Sequence, residues 1–143
     1  SEMCIRDRTM FDALDISVSG LVSQRERMTA ISGNLANFQT ILNESGEYEP
    51  YRRRIPIFAQ GDPATGSSMG VHVSEIALDD GELMQRYEPD NPFANEAGYV
   101  GYPNVSVTTE LMNAMEAARA YEANITASEA VKSMYSIALQ LLG

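Results

Sequence analysis

"ELMNAMEAARAYEANITASEAVKSMYSIALQLL" (residues 110–142) decides the fold. Neither glycine nor proline falls between Asn104 and Leu142. Apolar residues recur there at helical spacing, which predicts one unbroken helix over about 108–142. Leu111, Ala118 and Ile125 are spaced by seven. Ala114, Tyr121, Ser128, Tyr135 and Leu142 form a second column of the same period, with Met115, Val131 and Ala138 beside them. A period near 3.5 keeps such columns on one stripe, as in a coiled-coil seam. The helix spans roughly 50 Å at about 1.5 Å per residue. A compact chain of 143 residues cannot cover it on every side.

The other end of the chain reads similarly. Leu14, Val18, Leu21, Met28 and Leu35 fall on alternating steps of four and three, with Arg25 and Ser32 at the two remaining seam positions. A helix over 12–38 is predicted, its stripe widened by Ile31 and Phe38. Between the two helices, residues 43–104 hold all six prolines. "YRRRIPIFAQ" (51–60) and "GVHVSEIALDD" (70–80) alternate like strands, the second placing Val71, Val73, Glu75 and Ala77 on one face. "GDPATGSS" (61–68) reads as a loop tip, "LMQRYEP" (83–89) as another short strand, and 87–107 as loop. The expected fold is α+β. Long N- and C-terminal helices pair as an antiparallel coiled-coil-like hairpin around a small β-rich insert. The expected divisions are 10–42, 43–104 and 105–143. Two helices cannot bury both stripes, so the remainder implies neighbours.

"SEMCIRDRT" (1–9) is charged and aperiodic. It reads as a non-native prefix ahead of a start at Met10. The only cysteine, Cys4, lies in it. With one cysteine and one histidine, His72, neither a zinc cluster nor a histidine-based triad can be assembled. His72 sits in an alternating strand and is expected to face solvent. The net charge of −10 disfavours nucleic acid and anionic membranes. Arg52-Arg53-Arg54 is the one dense basic cluster, too short for a nucleic-acid footprint. Asp79, Asp80 and Glu82 around Gly81 lack the ligand spacing of a calcium loop and read as a turn, as do Asp90, Asn91 and Asn95. No phosphate-binding glycine loop, membrane-spanning run or apolar secretion-signal core is present. No enzyme activity, cofactor or metal is expected.

Asn34-Leu35-Ala36-Asn37 closes the first helix. Asparagine near a helix end can cap it through its side chain. The alternative is a polar lock in which Asn34, Asn37 and Asn124 set the register between helices or between subunits, as a buried asparagine does in coiled coils.

Several segments together resemble the bacterial flagellar rod and hook (axial) protein family. "SGNLANFQT" (32–40) matches its S-x-N-[LI]-A-N motif through Ser32, Asn34, Leu35, Ala36 and Asn37. "YEPDNPFANEAGYVGYPNVSV" (87–107) with Pro103, Asn104 and Val105, followed by "ARAYEAN" (118–124) with Arg119, Tyr121, Glu122, Ala123 and Asn124, resembles its short rod members. Gly46 and Tyr51-Arg52 fit the family's turn before a Tyr-Arg pair; the prefix does not fit. The resemblance implies a structural subunit of the proximal rod that transmits torque from rotor to hook. It implies export through the flagellar type III apparatus without a cleavable signal, and periplasmic assembly. Implied partners are copies of itself, the rod proteins FlgB and FlgF, and the adaptor FliE. The implied assembly residues are those of the motifs above. The helix seam of Leu14, Val18, Leu21, Met28, Leu111, Ala118, Ile125, Val131, Tyr135 and Leu142 would form the inner layer of the tube. The alternatives are another axial rod subunit, or a helical-hairpin adaptor with a single partner.

Overall fold

The structure is a computed structural model that describes the backbone of residues 2–143 and the side chains from Phe11 onward. The order is α1 (Glu2–Ala36), β1 (Arg54–Asp62), β2 (Ser67–Leu78), β3 (Met84–Tyr87), β4 (Tyr99–Tyr102) and α2 (Val107–Leu142). The fold is α+β.

α1 begins ten residues ahead of its expected start, because nothing in the prefix breaks a helix: it holds neither glycine nor proline. Side chains up to Met10, Cys4 included, lie outside the described residues. α1 ends at Ala36 rather than 38, where the Asn37 amide bonds the Gly33 carbonyl at 3.1 Å. α2 starts after Ser106, whose hydroxyl accepts from the Thr109 amide.

The insert consists of two separate two-stranded antiparallel sheets. β1 and β2 pair from Arg54↔Leu78 to Asp62↔Ser67, with irregularities after Ile57 and after Gln60. Pro56 is tolerated because a two-stranded ribbon has only edges. At the second irregularity His72 Nδ1 lies 2.7 Å from the Gly61 carbonyl oxygen, so His72 is engaged across the ribbon rather than facing solvent. Along its length the hairpin is tied to α1 through Val71 of β2. The Val71 amide donates to Ser19 Oγ, and Ser23 Oγ donates to the Val71 carbonyl.

Residues 99–102, expected as loop, form β4 against β3. The physical reason is Gly98, at φ +81°, which reverses the chain after Asn95. A Cβ there would also lie 2.9 Å from Tyr87 Cε2. Asn91 and Asn95 build the intervening turns by accepting the amides of Phe93, Ala97 and Tyr99. Tyr87 packs edge-on against Tyr99, and the Arg86 guanidinium lies 4.4 Å from the centre of the Tyr102 ring. The bond from Asn91, and after it the one donated by Tyr102, holds the Glu88 carboxyl below the usual range.

The buried apolar core is small: Ala30, Ile31, Val100, Val105 and Ala117. Ala30 and Ile31 lie near the end of α1, Val105 and Ala117 just before and within the start of α2, and Val100 in β4, which packs on β3. Beyond this core the helices touch at a series of points that descend α1 while climbing α2. These are Asn34 with Glu110, Arg27 with Glu116, Gly20 with Asn124, and Phe11 with Tyr135. At Gly20 the approach is close. An added Cβ would come within 2.8 Å of the Asn124 amide, whose nitrogen already bonds the Ala120 carbonyl. Gly20→Leu should therefore destabilise the chain by about 1–3 kcal/mol despite its better helix propensity. Adding Asn124→Ala should restore part of that loss. Urea unfolding midpoints of the two variants measure both effects.

Candidate functional site

The asparagines of the Asn34–Asn37 stretch have different jobs. Asn37 works locally: its Nδ2 donates to the Gly33 carbonyl at 2.9 Å, and its Oδ1 accepts from Thr40 Oγ1 at 3.1 Å. It caps the helix. Asn34, one turn earlier, points inward and is 1% exposed. Its Nδ2 donates to the Arg54 carbonyl at 3.0 Å and to Glu110 Oε2 at 3.1 Å. Its Oδ1 accepts from the Arg54 amide at 2.8 Å and from the Tyr51 hydroxyl at 3.0 Å. Both amide hydrogens and both oxygen lone pairs are used, the full capacity of the side chain.

Glu110, also 1% exposed, completes the junction. Its other oxygen, Oε1, accepts from Arg53 Nε at 2.6 Å. A buried carboxylate needs this pairing, because desolvation without a counter-charge costs more than any ordinary contact returns. Position in the first turn of α2 adds the favourable end of the helix dipole. Burial pushes the Tyr51 hydroxyl up from its ordinary value, partly offset by the Arg54 charge, so it stays a neutral donor to Asn34. The arginine triplet serves structure three ways. Arg52 Nη1 donates to the Gly81 carbonyl at 2.7 Å, Arg53 pairs with Glu110, and Arg54 offers its backbone to Asn34.

The structure distributes the remaining sequence-predicted residues unevenly. Pro103 and Val105 are buried beneath the start of α2, whereas Asn104 is exposed. Tyr121 and Asn124 are half-buried; Ser32, Ala36, Arg119, Glu122 and Ala123 are exposed, and Leu35 is half-buried. Leu14, Val131 and Tyr135 meet beside Phe11. Leu21 and Met28 are half-buried. Val18, Leu111, Ala118, Ile125 and Leu142 lie on the exposed side of the single chain. The α2 column that faces α1 starts one residue earlier than expected: Glu110, Ala117, Asn124, Val131 and Ala138 are all buried or half-buried. The column of Ala114, Tyr121, Ser128 and Tyr135 flanks it, and Leu142 does not continue it. Tyr51, Arg53 and Glu110 were not singled out as site residues. The one available signal was this seven-residue column, in which Glu110 and Asn124 are polar entries in an otherwise apolar row. Among the described residues, no group of three or more His, Cys, Asp or Glu could hold a metal ion, and no helix is long and apolar enough to cross a membrane.

Residues 96–141 match the family model described as flagellar basal body rod FlgEFG protein C-terminal. The flagellar basal-body rod protein FlgC of Bacillus subtilis is 37% identical over 147 residues, covering 93% of this chain and 98% of the relative. The FlgC protein of Salmonella typhimurium is 38% identical over 126 residues, covering 87% and 92%. That of Aquifex aeolicus is 37% identical over 127 residues, covering 88% and 92%. The chain belongs to the FlgC family of flagellar basal-body rod proteins. The family-model match takes in β4, Pro103–Val105 and nearly all of α2, so the Glu110 half of the junction lies inside it and the Asn34 half outside.

The two asparagines are separable by stability. Asn34→Ala strands the Arg54 amide and carbonyl, the Tyr51 hydroxyl and one bond to Glu110, and should cost about 3 kcal/mol or more. Asn37→Ala removes a surface cap and should cost about 1 kcal/mol. Denaturant titration of the two single variants checks the order. Equal losses would remove the distinction between junction and cap.

Proposed function

We propose that this FlgC-family chain is a structural subunit of the proximal rod of the flagellar basal body. It polymerises through its terminal helices and carries torque from rotor to hook. The carrying observation is area. The chain exposes 10023 Å², whereas a compact monomer of 15.7 kDa exposes about 7,300 Å². The excess is on the scale of one or more stable protein–protein interfaces, about 1,600 Å² each. Much of it is apolar and lies on α2: Leu111, Met112, Met115, Met134, Ile137, Leu139, Leu141 and Leu142 are between 51% and 83% exposed. Burying such surface at a growing end stabilises the polymer at about 25 cal/mol per Å².

In this reading α1 and α2 pair as an antiparallel coiled-coil-like hairpin. Residues 10–42 and 105–143 form the helical rod core, and residues 43–104 form the outward β-rich part. The helix-to-helix row is unusually polar and small: Gly20, Gln24, Arg27 and Asn34 against Glu110, Ala117, Asn124 and Ser128. Such a row specifies register and leaves the large apolar side chains for neighbours. Neighbours would be copies of the same chain, the rod proteins FlgB and FlgF and the adaptor FliE. Export would proceed through the flagellar type III apparatus without a cleavable signal, and assembly would occur in the periplasm. The family is structural, and no catalytic role is proposed.

Leu111→Asp combined with Met115→Asp tests the reading. Both side chains are exposed, so the monomer should unfold within about 0.5 kcal/mol of the parent. In a strain lacking the native gene, the double variant should fail to restore swimming and should be absent from isolated basal bodies. Normal swimming would contradict assembly through this face.

A further inference from the structure

We propose that the groove between α1 and the β1–β2 hairpin docks a basic amphipathic helix of a different protein. The groove shares Val18 with the expected helix seam and otherwise lies apart from the α2 face assigned to polymerisation. Its volume is about 650 Å³, within the range of about 300–1,000 Å³ typical of formed binding sites. Ser19 and Ser23 on α1 hold its shape by bonding both backbone groups of Val71 on β2.

The lining has two characters. Ile16, Val22 and Met69 form an apolar floor and are 38%, 52% and 55% exposed. Asp12, Asp15, Glu26 and Asp62 surround that floor, and among the described residues neither lysine nor arginine lines the groove. Among the described residues Asp15 and Glu26 form no ion pair or side-chain hydrogen bond. Asp62 is engaged only in its own turn, with the Ala64 amide and the Thr65 hydroxyl. An apolar trough bordered by carboxylates fits a helix with an apolar stripe flanked by lysine or arginine, and repels an acidic one.

Charge decides between a second copy and another protein. The chain carries −10 overall. Its longest exposed helix, α2, offers only Arg119 and Lys132 against Glu110, Glu116, Glu122 and Glu129. Between Phe11 and Ala36, α1 offers Arg25 and Arg27 against Asp12, Asp15 and Glu26. Among the described residues neither helix presents the cationic flanks that the groove selects, which favours another chain as the occupant.

The test replaces Met69 with the photo-crosslinking residue benzoylphenylalanine in the full chain, produced in the bacterium that carries it. A second variant carries the crosslinker at Leu111 as a control position. The expected Met69 adduct is with a different protein, mapped to a segment with apolar residues at helical spacing and at least two flanking lysines or arginines. Asp15→Lys with Glu26→Lys, both at exposed positions, should lower that adduct at least tenfold and leave the Leu111 adducts unchanged. An adduct with a second copy, an adduct to an acidic or neutral segment, or no adduct at all would overturn the proposal. Recovery of the same protein in isolated basal bodies is scored separately. A missing Met69 adduct with recovery intact therefore refutes the groove alone and leaves the rod reading standing.

Discussion

A buried asparagine with every donor and acceptor in use holds three parts of this chain at one point. Asn34 joins the end of α1 to the backbone of Arg54 at the start of β1 and, through Glu110, to the first turn of α2. Hydrogen bonds to a buried amide are directional and leave no second arrangement of equal energy. That geometry holds the end of α1 against the start of β1 and the first turn of α2. Ala30 and Ile31 are buried within about one turn of Asn34 on α1, and Val105 is buried two residues ahead of α2, so burial concentrates near this end and the two helices extend away from it.

That asymmetry links structure to assembly. Midway along, the helices meet through small or polar residues, with Gly20 against Asn124 and Arg27 paired to the largely exposed Glu116; farther out Phe11 and Leu14 meet Val131 and Tyr135. An exposed ion pair of this type contributes about 1 kcal/mol or less. The large apolar side chains of α2 face outward instead. Long helices draw most of their stability from packing, and in the proposed rod neighbours would cover the outward apolar face of α2. The acidic groove lies between α1 and the hairpin and includes none of the exposed apolar side chains of α2.

Much of this was legible in the sequence. The absence of glycine and proline after Asn104 fixed the length of α2, and alternation found both strands of the hairpin. The motifs around Asn34 and Asn124 identified the family through residue types alone. Three features were hidden for physical reasons. β4 depends on a reversal at Gly98 that local alternation does not register. The prefix joined α1 because nothing in it opposes a helix. The α2 column facing α1 was misplaced by one residue, because the greasier column, Leu111, Ala118 and Ile125, is the one left outside. In a monomeric protein the greasier column would face inward; in a subunit built for polymerisation it need not. Glu110 and the arginine triplet escaped notice because charged residues read as solvated surface until their partners are known.

The most direct measurement of the central claim is a double-mutant cycle across the junction, read by urea unfolding of the full chain. Arg53→Met leaves the Glu110 carboxylate buried without its counter-charge and should cost about 3–5 kcal/mol. Arg53→Met together with Glu110→Leu removes both charges, and the double variant should recover at least half of that loss. A single variant within about 0.5 kcal/mol of the parent, or a double variant whose cost is the sum of the two single costs, would contradict a structure organised around this buried junction.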